Sequence, residues 1–182
     1  MSKAALIVID VQQGMFAFPE RPPRDGDEML SRIADLVSRA REASVPLIFV
    51  QHDGGAGHPL EKPNEGWQVH PGTGYREGDA IVEKRYPDSF QDTDLQDRLA
   101  GLGASTLVLA GMMTEYCVDT TCRRAFSLGY DVVLAGDAHT TFSTPDIDAG
   151  TIVRHHNEVL GNGFAKVEPA ADIDFKQYEA SQ

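Results

Sequence analysis

Residues 105–111 read STLVLAG, and residues 112–129, which follow directly, read MMTEYCVDTTCRRAFSLG. The first stretch is a short run of β-branched and apolar residues, which is typical of a strand buried in a parallel sheet. The second stretch predicts a helix that ends at a glycine. Cys117 lies at this strand-to-helix junction, where unpaired N–H groups and the helix dipole favour a thiolate. The junction therefore predicts an α/β fold with a nucleophilic cysteine.

The second cysteine has a different setting. Cys122 lies five residues after Cys117 in mid-helix, where about 7.5 Å of helical rise puts the two residues beyond disulfide reach. We interpret Cys122 as a small hydrophobic core residue. Two cysteines that cannot pair are typical of a reducing compartment, which favours a cytoplasmic location.

Charged residues end two other predicted strands. Asp10 closes the run KAALIVID at residues 3–10, and Lys84 closes DAIVEK at residues 79–84. In open α/β sheets, ligands bind in the crevice outside the carboxyl ends of the strands. A carboxylate, an ammonium group and a thiol at three such ends would supply a base, a cation and a nucleophile.

Strands and helices alternate along the chain. This alternation predicts right-handed βαβ crossovers and a three-layer α/β/α, Rossmann-like fold with a mostly parallel six-stranded sheet. The length of 182 residues is that of one domain, which we assign to residues 1–182. The predicted strands are Ala4–Asp10, Pro46–Gln51, Ala80–Glu83, Thr106–Ala110, Asp131–Ala135 and Phe164–Val167, and the predicted helices are Asp27–Ala43, Thr93–Leu102, Val118–Leu128 and Pro145–Leu160, the last capped by Thr144.

The charge balance excludes some classes of partner. The chain has 28 acidic and 16 basic residues, a net charge of −12, which disfavours nucleic acids and anionic membranes and favours a cationic substrate. The apolar run near the N-terminus is too short for a signal peptide, and no segment approaches the ~18 apolar residues of a membrane span. We therefore expect a cytoplasmic protein with a small-molecule substrate.

Four blocks of the sequence resemble a known family. They are LIVIDVQ at residues 6–12, KRYPDSF at 84–90, LVLAGMMTEYCV at 107–118 and LAGDAHTTF at 134–142. Their order and spacing are similar to those of the isochorismatase-like cysteine hydrolases, which include nicotinamidases and carbamoylsarcosine amidases. The resemblance covers nearly the whole chain, and the block around Cys117 is its most specific part.

The resemblance implies a catalytic triad of Asp10, Lys84 and Cys117. It also implies an oxyanion hole made by the backbone N–H groups of Met113 and Cys117, beside a cis peptide bond between Met112 and Met113. Cys117 would attack the carbonyl of an amide, ureido or lactam bond and form a thioester, with Asp10 as the base. The resemblance further implies a homo-oligomer, either a dimer or a tetramer, and no cofactor.

Residues 52–79 are rich in Gly and Pro and show no periodicity. A loop this long in a compact domain is usually functional, so we expect it to form one wall of the active site. Its stretches HDGG (52–55) and EGWQVHP (65–71) resemble the branch of the family that opens cyclic amides. We predict a substrate pocket shaped by aromatic side chains from this loop and its neighbours, with a histidine after the fifth strand: Phe16, Trp67, Tyr75, Tyr116 and His139.

The same loop contains candidate metal ligands, namely His52, Asp53, His58 and His70. Nicotinamidases of the resembling family have a metal site built on an Asp-x-His followed by further histidines. Here residues 51–53 read Gln-His-Asp, and the second half of that motif is absent. We therefore expect solvated histidines and no metal site.

Three other functions remain open from the sequence. An isochorismatase of the same fold cleaves a vinyl ether, but by resemblance it lacks the cysteine. A redox-sensing thiol protein would use Cys117 without an acyl intermediate, although the neighbouring Asp10 would raise the pKa of a sensor thiol. A binding or scaffold protein would leave the Asp, Lys and Cys residues unexplained.

Overall fold

The computed structural model describes residues 3–178. A six-stranded sheet with the order β3-β2-β1-β4-β5-β6 forms its centre, and every pairing in the sheet is parallel. The predicted fold class is therefore confirmed. The strands are β1 (Lys3–Ile9), β2 (Leu47–His52), β3 (Ala80–Lys84), β4 (Ala104–Met112), β5 (Asp131–Thr140) and β6 (Lys166–Glu168).

Four α-helices cover the two faces of the sheet: α1 (Gly26–Glu42), α2 (Leu95–Leu102), α3 (Asp119–Ser127) and α4 (Ala149–Gly161). Side chains alternate between the faces along β1, because successive residues of a strand point in opposite directions. Leu6 and Val8 pack in the core that includes Ile33 of α1. Ile7 and Ile9 pack in the second core, which contains side chains of α2, α3 and α4. None of the helices within residues 3–178 is both long and apolar enough to cross a membrane.

Two predicted helix starts are corrected. Helix α4 begins at Ala149 rather than Pro145, because Asp148 is its cap and accepts a hydrogen bond from Thr151 N at 3.0 Å. Thr144, the predicted cap, instead accepts a hydrogen bond from Ile147 N within the preceding turn. The second correction is at α3, where a π-helical turn at Thr114–Val118 comes before the α-helix.

The strand order places a crevice at a defined point. The chain adds β2 and β3 on one side of β1 and then returns to add β4 on the other side, so the order reverses between β1 and β4. Open α/β sheets bind ligands at such a reversal, outside the carboxyl ends of the strands. Asp10 follows β1 and Cys117 follows β4, so both residues lie at this point.

Close contact between β1 and β4 requires a glycine at position 111. Gly111 pairs with Ile9 and has a φ of +129°. A Cβ atom added there would lie 2.1 Å from the carbonyl oxygen of Ile9, which is far inside van der Waals contact. The approach of these two strands therefore sets the spacing of the residues that follow them.

We expect Gly111→Ala to lower the free energy of unfolding by about 3 kcal/mol, because the new methyl group must displace the backbone of β1. Urea denaturation measures this change. Gly101→Ala is the matched control, since no neighbouring atom lies within 4 Å of its Cβ position. That substitution in α2 should raise stability by about 0.5 to 1 kcal/mol. Equal stability of the Gly111→Ala and wild-type proteins would contradict the close approach.

Candidate active site

Asp10 enters the site through an unusual backbone conformation. Strict alternation would place its side chain on the α1 face with Val8, but its φ is +51°, in the left-handed region. Aspartate tolerates this region better than most residues, because its short side chain can bond locally. The turn brings the carboxylate to Lys84, whose strand neighbour Val82 belongs to the opposite core.

Lys84 joins the site from a more distant strand. It ends β3, which is separated from β1 by β2 and so lies about 10 Å away. The Nζ atom lies 2.6 Å from Asp10 Oδ2 and donates hydrogen bonds to Cys117 Sγ at 3.1 Å and to the Tyr86 carbonyl at 3.0 Å. These three partners match the three protons of an ammonium group. The sequence-predicted triad is therefore brought together in the structure.

Cys117, the predicted nucleophile, lies in the π-helical turn. The Met113 carbonyl accepts hydrogen bonds from Tyr116 N at 3.1 Å and Val118 N at 3.2 Å, and between them the Cys117 N–H does not bond to this carbonyl. π-Helical turns are rare and occur often at functional sites. The Met112–Met113 peptide bond is cis, as the sequence analysis predicted. The assignment of the Met113 and Cys117 N–H groups to an oxyanion hole stays a prediction.

The site holds a neutral thiol between two charges. Burial and the Asp10 carboxylate together raise the pKa of Cys117 to about 12, against the lowering effect of Lys84. Burial also lowers the pKa of Lys84, but its interactions with Asp10 and Cys117 outweigh burial and raise the pKa above its usual value. Apart from Lys84 and the thiol, the Asp10 oxygens have no hydrogen-bond partner in residues 3–178. The thiolate expected from the helix N-terminus is therefore corrected to a protonated thiol.

His139 has a supporting position. It is almost fully buried, and its Nδ1 lies 2.9 Å from Thr114 Oγ1 while its Nε2 lies 2.8 Å from Asn157 Oδ1. Asn157 also donates a hydrogen bond to the Gly136 carbonyl. Burial lowers the pKa of His139 to about 4, so it is neutral at physiological pH. These hydrogen bonds connect Asn157 of α4 and His139 of β5 to Thr114, the first residue of the turn that contains Cys117.

The predicted pocket residues separate into different environments. Tyr75 is half-buried and packs edge-on against Phe49 beside the α1-side core. Phe16 lies 4.6 Å from the ring of His70, measured between centroids. Tyr116 is exposed next to the nucleophile. Trp67 is buried, and its carbonyl accepts hydrogen bonds from two glutamine side chains, Gln12 and Gln51, both at 2.7 Å.

A cavity of about 260 Å³ borders the site. Most residues that line this cavity could not be predicted from the sequence, because they come from segments without periodicity. Phe142 is an exception, since it belongs to the block 134–142. The lining residues are Gly14, Met15, Phe18, Arg21, His58, Pro59, Leu60, Met113 and Phe142.

Three of the four candidate metal ligands of the loop have other partners, whereas His52 Nδ1 is buried without a hydrogen-bond partner in residues 3–178. His58 Nδ1 accepts a hydrogen bond from Leu60 N, and His70 Nδ1 accepts one from Gly72 N. Asp53 is paired with Arg85. Within residues 3–178, His, Cys, Asp and Glu side chains do not form a group of three or more that could hold a metal ion.

Comparisons with known proteins identify the relatives of this chain. A family model described as the isochorismatase domain matches residues 4–159. The chain is 37% identical over 178 residues to a streptothricin hydrolase of Streptomyces noursei, covering 94% of this chain and 70% of that protein. It is 31% identical over 172 residues to a secreted isochorismatase effector of Verticillium dahliae, covering 94% and 90%. A solved isochorismatase from Pseudomonas putida superposes with a TM-score of 0.86 at 34% identity, covering 93% and 89%.

The protonation state of Cys117 can be measured by alkylation. We expect iodoacetamide to modify Cys117 near pH 7 at least tenfold more slowly than a free cysteine peptide, because the thiolate is the reactive form. Asp10→Asn should accelerate the modification, since it removes the negative charge that raises the thiol pKa. Peptide mass spectrometry in a Cys122→Ala background measures both rates. A modification rate that reaches its plateau below pH 7 would contradict the protonated thiol.

The lowered pKa of His139 predicts that the stability of the protein depends on pH. Its pKa is about 4 in the folded protein against an ordinary 6.5, so the unfolded chain binds the proton first as the pH falls. The contribution of His139 to the free energy of unfolding is complete above about pH 6.5. It decreases towards pH 4, by up to about 3 kcal/mol. Urea denaturation at about pH 7 and pH 4.5 measures the loss. His139→Gln keeps hydrogen-bonding groups but does not titrate, so the loss should be smaller; an equal loss would refute this assignment.

Proposed function

The chain belongs to the isochorismatase family, and from this premise we propose that it is a cysteine-dependent hydrolase of carbon–nitrogen bonds in small molecules. The observation that carries the proposal is the position of Lys84 Nζ, 2.6 Å from Asp10 and 3.1 Å from Cys117 in a buried site. A base, a cation and a thiol in mutual contact are the groups that acyl transfer to sulfur requires. The hydrolase relative from Streptomyces noursei supports the same class.

In the proposed first step, Asp10 accepts the thiol proton while Sγ attacks the carbonyl carbon. The thiol pKa of about 12 makes a free thiolate rare, so proton transfer accompanies the formation of the C–S bond. The backbone N–H groups of Met113 and Cys117 would stabilise the oxyanion, and each such donor is typically worth about 3 kcal/mol. Lys84 stays protonated and stabilises the negative charge on Asp10 and on sulfur.

The intermediate then collapses in two stages. Asp10 returns its proton to the leaving nitrogen, the C–N bond breaks, and a thioester remains on Cys117. Water attacks the thioester, Asp10 takes a proton from that water, and the C–S bond breaks to release the acid. Asp10 then passes the proton to sulfur, which restores the thiol and the carboxylate. The bond cleaved would be an amide, a ureido bond or a lactam.

The redox-sensing alternative is disfavoured by the same electrostatics. A sensor thiol needs thiolate character and exposure, whereas burial and Asp10 raise the pKa of Cys117. The vinyl ether alternative leaves the contact between Lys84 and the thiol without a role. The homo-oligomeric state, the cytoplasmic location and the single domain over residues 1–182 stay predictions.

The proposed mechanism predicts the effects of three substitutions. Cys117→Ala should abolish turnover, and Asp10→Asn should reduce it by at least a thousandfold, because the amide cannot accept the thiol proton. Ammonia release or mass change across a panel of primary amides, ureido compounds and lactams measures turnover. Cys122→Ala is the matched control and should retain activity, since Cys122 is buried in the core.

The decisive measurement is a substrate-dependent acyl adduct, trapped by rapid quench and located by peptide mass spectrometry. We expect it on the peptide that contains Cys117. An adduct on Cys122, or full activity of Cys117→Ala, would refute the mechanism.

A further inference from the structure

The cavity beside the site shares one wall residue with it, Met113, while Asp10, Lys84 and Cys117 do not line the cavity. Met113, which is predicted to bind the oxyanion, forms part of its wall, and Gly14 and Met15 follow Asp10 closely along the chain. On the loop side, the ring of His58 lies 6.1 Å from that of His52. Burial and the charge of Lys84 lower the pKa of His52.

The geometry decides which part of a substrate reaches this cavity. The leaving nitrogen must face Asp10 and Lys84, which follow β1 and β3. The oxyanion of the same carbonyl would face the predicted donor Met113, which lines the cavity. The acyl chain attached to that carbonyl carbon therefore lies next to the cavity.

The walls of the cavity are mostly apolar. Met15, Leu60 and Phe142 supply much of the surface, and no Asp or Glu lines it. A cavity of about 260 Å³ holds the volume of roughly nine water molecules at about 30 Å³ each. This space suits an acyl chain of a few carbon atoms.

Arg21 gives this apolar cavity a positive charge. Its guanidinium carbon lies 5.4 Å from the centroid of the Phe142 ring, a cation–π geometry that holds the group at the cavity wall. No ion pair of Arg21 with an acidic side chain occurs within residues 3–178, although most arginines there are paired. Arg21 is thus a cation without a carboxylate partner in a protein of net charge −12.

His58 adds a second donor. Its Nδ1 accepts a hydrogen bond from Leu60 N, so the neutral ring carries its proton on Nε2. The cavity therefore presents a guanidinium group and an imidazole N–H, and it has no carboxylate to bind a cation.

We propose that this cavity binds the acyl chain of the substrate and that Arg21 selects a carboxylate at the far end of that chain. The inference rests on the proposed function, because it identifies the substrate class of the same site. The net charge of the protein led us to expect a cationic substrate. The inference replaces that expectation with an anionic substrate, because the local charge at the cavity is positive while the protein as a whole is negative. The substrate class is a short aliphatic amide with a terminal carboxylate.

Three amides of similar length test this selectivity: glutaramate, which has a terminal carboxylate, neutral pentanamide, and the ω-amino derivative of pentanamide. Their dissociation constants are measured by NMR titration of Cys117→Ala, which cannot form the thioester. We expect glutaramate to bind about tenfold more tightly than pentanamide, and the ω-amino derivative to bind most weakly, because a charge-assisted hydrogen bond to Arg21 has about this effect.

Arg21→Met in the same background should weaken glutaramate binding about tenfold and change pentanamide binding by less than twofold, because methionine keeps the apolar contact with Phe142. Arg76→Met is the matched control. Arg76 is exposed and does not line the cavity, so this substitution removes the same charge and should preserve the preference.

Three results would overturn the inference: no binding of any of the three amides, tighter binding of the ω-amino derivative, or a preference that Arg21→Met leaves unchanged. Failure of the proposed function has a different readout, because it appears as the absence of an acyl adduct on Cys117 in the wild-type protein. The titrations do not depend on that adduct.

Discussion

The buried ion pair between Lys84 and Asp10 is the interaction on which the site depends. Both side chains are nearly inaccessible to solvent, at 0% and 2% exposed, and their charged atoms are 2.6 Å apart. Removing two charges from water costs several kcal/mol each, and only close pairing with further hydrogen bonds offsets that cost. Lys84 satisfies this condition through the Tyr86 carbonyl and the Cys117 sulfur. The fold must therefore hold the ends of β1, β3 and β4 in a fixed relation.

The sheet provides that relation, and the chemistry follows from it. Lys84 reaches across the end of β2, and Gly111 lets β4 approach β1 closely enough for Cys117 to meet the pair. A thiol held against a carboxylate in a water-poor site stays protonated, since burial and the nearby negative charge both raise its pKa. The same carboxylate is a base in contact with the thiol proton. The arrangement that raises the thiol pKa therefore also provides the base that the proposed mechanism requires.

The parts of this design with a local signal could be predicted from the sequence. Apolar runs that end in Asp10 and Lys84 predicted strands and a shared edge, because parallel strands bring their carboxyl ends together. The π-helical turn before α3 and the Asp148 cap of α4 were missed, since each is decided by competing hydrogen bonds over a few residues. Tyr75 was predicted in the pocket but packs against Phe49, because periodicity does not indicate where an aromatic side chain of an irregular loop packs. The thiol pKa depended on burial, which only the tertiary structure provides.

The long loop shows how an irregular segment can form a defined wall. Residues 53–79 contain two short 3₁₀ turns and no longer helix or strand. Gln12, just after β1, donates hydrogen bonds to the carbonyls of His52 and Trp67, and Gln51 at the end of β2 donates a second one to Trp67. Because these glutamines are buried at the sheet edge beside Asp10, the loop is fixed to the same strands that fix the triad. The cavity wall at His58 and Leu60 and the reacting groups therefore share one rigid support, which is what selective binding of a short acyl chain beside the thiol requires.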